Sequence, residues 1–185
     1  MGLKILIAAL IAATLWLTSE PIFADQNDPE LPQLFQRLEN ASSPVDARQL
    51  ESEIWQLWLV APDDASDRLL RATVEAMSQQ DFREALLASN ELVDTYPDYA
   101  EGWNKRATIH YLMGNFDSSV IDISETLRRE PRHFGAISGL GLIFQAKGDL
   151  EASLDAFEQV LIISPQSLNA QRSVADLKQR LGREI

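Results

Sequence analysis

Residues 134–167 read "FGAISGLGLIFQAKGDLEASLDAFEQVLIISPQS", and this stretch decides the fold. An apolar-periodic segment of about 14 residues breaks at Gly148-Asp149, and a second segment follows and stops before Pro165. The glycine accepts the positive φ that closes one helix, and the aspartate caps the next. Proline cannot continue a helix and drives the residue before it out of the α region. Gly141 and Ser153 are small, so the two segments can approach closely. An antiparallel helix pair is predicted.

The same arrangement recurs upstream. Pro97, Pro131 and Pro165 are spaced 34 residues apart. Small residues Ala85, Ser119 and Ser153 keep that period, as do Phe82, Phe116 and Leu150, preceded by Asp81, Asn115 and Asp149. Gly114 and Gly148 recur in the turn, and Ala107 and Gly141 in the helix before it. Asp81 with Glu84 forms a variant of the capping box. A unit that cannot bury its apolar face alone, repeated in phase, predicts a row of stacked helix pairs.

On these residues the chain resembles the tetratricopeptide repeat (TPR) family, whose 34-residue pattern W-x2-L-G-x2-Y…A-x3-F…P is present in pieces. Residues 134–167 supply Leu140, Gly141, Phe144, Ser153, Phe157 and Pro165. Residues 100–133 supply Trp103, Ala107, Ser119, Ile123 and Pro131, and residues 66–99 supply Leu69, Ala85, Leu92 and Pro97. The whole chain is also similar to small exported repeat proteins of alphaproteobacteria in "AEGWNKRA" (100–107) and "EPRHFGAISGLGL" (130–142). That likeness brings no activity with it. The resemblance implies an all-α, TPR-type helical-hairpin solenoid with three units.

The flanks extend the row. Leu31, Leu34, Phe35 and Leu38 share one helical face; Ser43 and Pro44 open a second helix carrying Leu50, Ile54, Leu57 and Trp58. Pro62 lies 35 residues before Pro97, so residues 25–65 are expected to be a degenerate first repeat. Residues 168–185, with Leu168, Val174, Ala175, Leu177 and Leu181, read as a closing helix that covers the last hairpin.

Composition narrows the chemistry. The chain has 185 residues and a net charge of -12; without a basic stripe, such a surface is repelled by phosphate backbones and anionic lipid. Cysteine is absent and histidine occurs twice, which removes disulfides, thiol nucleophiles and most metal constellations. Residues 1–24 join Lys4, a run of thirteen apolar-rich residues (Ile5 to Leu17), Pro21 and Ala24 in the order of a secretory signal peptide, although Ile22 is unusual before the cut. The run is shorter than the about 20 residues of a membrane span. Cleavage after Ala24 would leave no stable membrane anchor, and the bacterial periplasm is the expected location.

Several residues carry competing readings. Arg106 and Lys105 could hold an anion such as a peptide carboxylate. The plainer reading pairs Arg106 with Asp122, Glu91 or Asp94, leaves Lys105 solvated, and makes His110 a packed ring with one hydrogen bond. His110 and His133 lack metal-ligand spacing. The acidic pairs Asp63/Asp64 and Asp149/Glu151 sit in turns, where capping explains them. Neither a nucleophile elbow nor a phosphate loop stands out. No enzyme activity, metal or cofactor is expected.

The resemblance implies that the first helix of each unit lines a concave groove. In that register the inward positions are Leu70, Val74 and Met77; Asn104, Thr108, Tyr111 and Leu112; and Gly135, Ser138, Leu142 and Gln145. They mix apolar area with uncharged polar tips, the makeup of peptide and helix grooves. Asn104 offers a donor and an acceptor for a partner's backbone. Gly135 and Gly139 either admit another backbone or let helices pack closely. Family members that grip chaperone tails use inward cations, and Gly135 and Gly139 stand where those would be. The expected function is a non-catalytic protein-binding adaptor of the cell envelope, holding an apolar or basic partner segment. The alternative is a structural subunit whose groove is filled by its own chain or a second copy; an unrecognised envelope enzyme comes third.

Overall fold

The computed structural model describes residues 25–182; the expected signal peptide lies outside them. Among the described residues there are nine helices: α1 (Leu31–Glu39), α2 (Pro44–Trp58), α3 (Asp64–Ser78), α4 (Phe82–Thr95), α5 (Ala100–Leu112), α6 (Phe116–Arg129), α7 (Phe134–Lys147), α8 (Leu150–Ile163) and α9 (Leu168–Arg180). Helices α3/α4, α5/α6 and α7/α8 pair as hairpins, and each second helix packs on the first helix of the following unit. The row is closed by α9. The all-α solenoid read from the 34-residue period is the observed architecture.

Local chemistry sets these boundaries. Ser43 accepts the Asp46 N–H, Asp81 the Glu84 N–H and Asp149 the Ala152 N–H. Asp63 opens α3 with a reciprocal capping box shared with Ser66. Gly114 and Gly148 take φ of +77° and +83°, and Gln80 holds the same turn position at +59°. Within the hairpins, Ser119 Oγ donates to the Ala107 carbonyl at 2.7 Å and Ser153 Oγ to the Gly141 carbonyl at 2.8 Å. Gly141 leaves room for the Phe157 ring, which would lie 2.6 Å from a Cβ there.

The N-terminal pair departs from expectation. Helices α1 and α2 form an antiparallel pair, but they do not extend the row as a first repeat. Their apolar face (Leu31, Phe35, Leu38, Leu50, Ile54, Trp58) shares a core with Phe134, Ile137, Val160 and Ala170 of α7, α8 and α9. The reason is visible on α3. Ile109 and Ile143 are fully buried against the hairpin before them, whereas the same column holds Glu75 on α3, which is exposed. A preceding repeat would have to bury that carboxylate without a partner, so the pair seats elsewhere.

Its seat is the edge where one hairpin hands over to the next. Gln26 bonds both the Asp98 carbonyl and the Ala100 N–H. The Tyr99 hydroxyl donates to the Trp58 carbonyl at 2.9 Å, and Ser164 Oγ donates to Glu51 at 2.8 Å. With Trp58 stacked on His133, the pair thus touches the α4–α5, α6–α7 and α8–α9 loops.

Candidate partner-binding surface

Two neighbouring environments meet at α7. The first is the loop edge beneath α2. Glu101, 1 % exposed, accepts the Asn104 amide at 2.9 Å and carries Lys105 Nζ on its other oxygen. His133, fully buried, accepts the Ala136 N–H at Nδ1, capping α7; its proton therefore sits on Nε2, 3.1 Å from Glu101. Trp58 stacks on that imidazole with centroids 4.1 Å apart, Trp55 meets it edge-on, and Lys105 Nζ lies 5.5 Å from the Trp55 ring centre. Burial pushes the Glu101 carboxyl up, but the Lys105 charge and the His133 and Lys105 hydrogen bonds outweigh it and hold it below its ordinary value.

The second environment is the concave face between α5 and α7. Asn104, Thr108, Tyr111, Leu112, Gly135, Ser138 and Leu142 line one cavity of about 250 Å³, backed by Ala107, Ser119, Ile123, Ala136 and Gly139. Its walls are mostly apolar, and Leu112 and Leu142 stand exposed at its rim. Leu70 and Val74 border a separate, wider depression of about 660 Å³ with Leu59, Asp67, Arg71, Ala72 and Glu75. Met77 packs beside Ala76, Ala85 and Ile109, and Gln145 is half-buried away from either hollow.

Several sequence expectations change here. Leu70 belongs to the core with Leu92 and Tyr99, because Tyr99 turns inward to reach Trp58. Asn104 is buried and its amide is committed to Glu101, so it holds the protein's own carboxylate rather than a partner backbone. Lys105 is not solvated trim; it neutralises the same carboxylate. Gly135 lines the cavity and also has a close neighbour the sequence did not suggest: a Cβ there would lie 2.6 Å from the Trp55 indole of α2. His110 lacks its expected hydrogen bond, with Nδ1 unpartnered and Nε2 3.8 Å from Asp122, and desolvation lowers its pKa although Asp122 opposes the shift.

Arg106 behaves as read. It bonds both oxygens of buried Asp122 at 2.8 and 2.7 Å and reaches Asn90 as well. Glu101, His133 and Trp55 were not singled out as a unit from the sequence. The available clue was the column two residues beyond each proline, where Tyr99 and His133 place polar aromatics in consecutive loops. Among the described residues, no three metal-binding side chains gather, and no helix is long and apolar enough to cross a membrane.

No family model matches the chain. A TPR repeat-containing protein of Rhizobium etli is 36% identical over 151 residues, covering 82% of this chain and 74% of the relative. Among solved structures, the first TPR of Spaghetti (RPAP3), bound to the HSP90 peptide SRMEEVD, superposes with a TM-score of 0.60 at 20% identity, over 63% of this chain and 93% of that one. MamA superposes with a TM-score of 0.60 at 14% identity, over 80% and 84%.

Proposed function

Because the chain belongs to the tetratricopeptide repeat family, we propose that it is a non-catalytic adaptor of the bacterial cell envelope, holding a segment of a partner protein against its concave face. The cavity between α5 and α7 is the observation that carries this reading. It places exposed apolar side chains, Leu112 and Leu142, around a hollow that no part of the described chain fills. Exposed apolar surface of this kind marks interaction sites. The periplasmic location rests on the composition of residues 1–24. The peptide-bound Spaghetti domain shows that this fold can hold a peptide; its acidic ligand is not carried over.

One observation favours the alternative, a structural subunit whose groove is filled by its own chain. Helices α1 and α2 do cover the loop edge, and Trp55 packs against Gly135, one of the residues that line the cavity. They leave Tyr111, Leu112 and Leu142 uncovered, so the adaptor reading is preferred. The test is a photo-crosslinking residue at Tyr111 in living cells, with the products identified by mass spectrometry. One dominant envelope protein, lost when Leu142→Arg blocks the rim, supports the adaptor. Products containing only this chain would replace it with the assembly subunit.

A further inference from the structure

Helix α5 opens with a backbone donor that its own neighbours do not satisfy. Ala100 is its first residue, where an N–H has no intrahelical acceptor, and Tyr99 at the N-cap offers no side-chain bond. The acceptor lies 74 residues away, where Gln26 Oε1 takes the Ala100 N–H at 3.1 Å. Gln26 Nε2 donates to the Asp98 carbonyl at 2.8 Å. One side-chain amide thus pairs with the backbone on both sides of Tyr99, as a neighbouring strand would.

The turn around Gln26 leaves no slack. Asp25 is buried, and its carboxylate accepts the Asn27 N–H at 2.7 Å. Its carbonyl accepts the Asp28 N–H, and the Asp28 carbonyl takes the Leu31 N–H at the start of α1, both at 3.1 Å. Asp25 is also the first residue after the cut expected of the leader. A peptidase takes its substrate as an extended strand that it must reach on both sides of the scissile bond. Asp25 and Gln26 instead sit in a hydrogen-bonded turn against α5. Resting on the reading of residues 1–24 as a secretory leader, we propose that cleavage after Ala24 precedes folding, and that Gln26 then closes as a clasp fixing the new chain end to α5. A precursor that folds first is a poor substrate, because proteolysis of a folded segment waits on its local opening. The helix so capped is the one that brings Asn104, Thr108, Tyr111 and Leu112 to the cavity wall.

The test uses the full chain, residues 1–185, folded in mild detergent, and purified signal peptidase, with a peptide spanning residues 10–32 as the unfolded reference. Cleavage is followed by intact mass. The peptide should be cut between Ala24 and Asp25, and the folded precursor about thirtyfold more slowly, the factor set by opening two hydrogen bonds. Gln26→Ala should be cut about fivefold faster than the parent precursor. A chain that starts at Asp25 gives an independent reading. Its Ala100 amide should exchange with deuterium about fivefold faster in Gln26→Ala, with an unchanged circular dichroism spectrum.

Equal cleavage of folded precursor and peptide would overturn the proposed order and leave the leader reading intact. A folded precursor that resists cleavage equally with and without Gln26, or an Ala100 amide indifferent to the substitution, would overturn the clasp. If the peptidase cuts neither peptide nor precursor, or cuts at another bond, the leader reading falls and the proposal with it. The adaptor reading stands apart from these outcomes, because capture at Tyr111 tests it.

Discussion

The loop edge and the concave cavity share α7, yet the chain has filled one and left the other open. At the loop edge, aromatic and charged groups that do not repeat (Trp55, Trp58, Glu101, His133) interlock, with Trp55 half-buried and the other three almost without exposed surface. In the cavity, side chains from the repeat columns border an empty hollow. The repeat period therefore builds the groove, and residues that break the period decide which part of it the protein keeps for itself. Stability should depend on the first region and recognition on the second.

Removing Trp58 is the strongest way to break that contrast. Trp58 contacts Phe35, Phe134 and His133 at 1 % exposure. Trp58→Ala should cost about 3–5 kcal/mol, the range for deleting a buried aromatic, read from urea unfolding. Trp58→Phe should cost much less, because the indole Nε1–H is buried without a partner and its loss removes an unsatisfied donor. A loss below about 1 kcal/mol for the alanine variant would mean that the N-terminal pair is not part of the folded unit.

Glu101→Gln comes next, at about 3 kcal/mol, because Lys105 is left without its counter-charge in a buried setting. It also has a pH signature. The folded-state pKa of Glu101 lies below its ordinary value, so the carboxylate stabilises the fold fully above about pH 4.3, the unfolded value. That contribution is lost as pH falls through the folded pKa. The glutamine variant should start less stable at neutral pH and lose less on acidification. Parallel pH curves for the two proteins would show that Glu101 is not the linked group.

Two smaller substitutions probe the repeat columns. Ser153→Ala removes the bond to the Gly141 carbonyl and should cost about 1 kcal/mol in chemical unfolding. Ala85 already holds that column in the first unit, so the fold survives without the bond. Gln80→Gly should stabilise by up to about 1 kcal/mol, since Gln80 sits at a φ of +59° in the position that glycine fills in the other units. A fall in melting temperature would show that the Gln80 side chain contributes something its backbone strain conceals.

This division also explains what the sequence revealed. Helix pairs, turns and caps repeat, so Pro97, Gly148 and Asp149 could be placed by their spacing alone. The family resemblance put the first helix of each unit on the concave face, and register then chose the positions: Asn104 with Ser138 and Thr108 with Leu142 occupy matching columns 34 residues apart and border one cavity. The seat of α1 and α2 was hidden. Their amphipathic pattern specifies that one face is buried, not against which neighbour. Glu75 in the column of Ile109 and Ile143 was the one residue that argued against simple stacking. Hydrogen-bond partners were hidden too: Asn104 reads as an available amide until Glu101 is placed beside it.

The smallest expected effect on stability bears most directly on recognition. Leu112 lies at the end of α5 and is 50% exposed, so Leu112→Ser should change unfolding free energy by no more than about 0.5 kcal/mol. The same substitution removes apolar area from the cavity rim and should weaken capture at Tyr111. Leu142→Ser, at 41% exposure, offers a second instance from the facing helix. If either variant costs stability comparable to Ser153→Ala while capture is unchanged, the rim leucines serve the protein's own packing and the contrast with the loop edge disappears. Lost capture with unchanged stability would separate the two surfaces physically, because the chain would have retained exposed leucines that its own fold does not need.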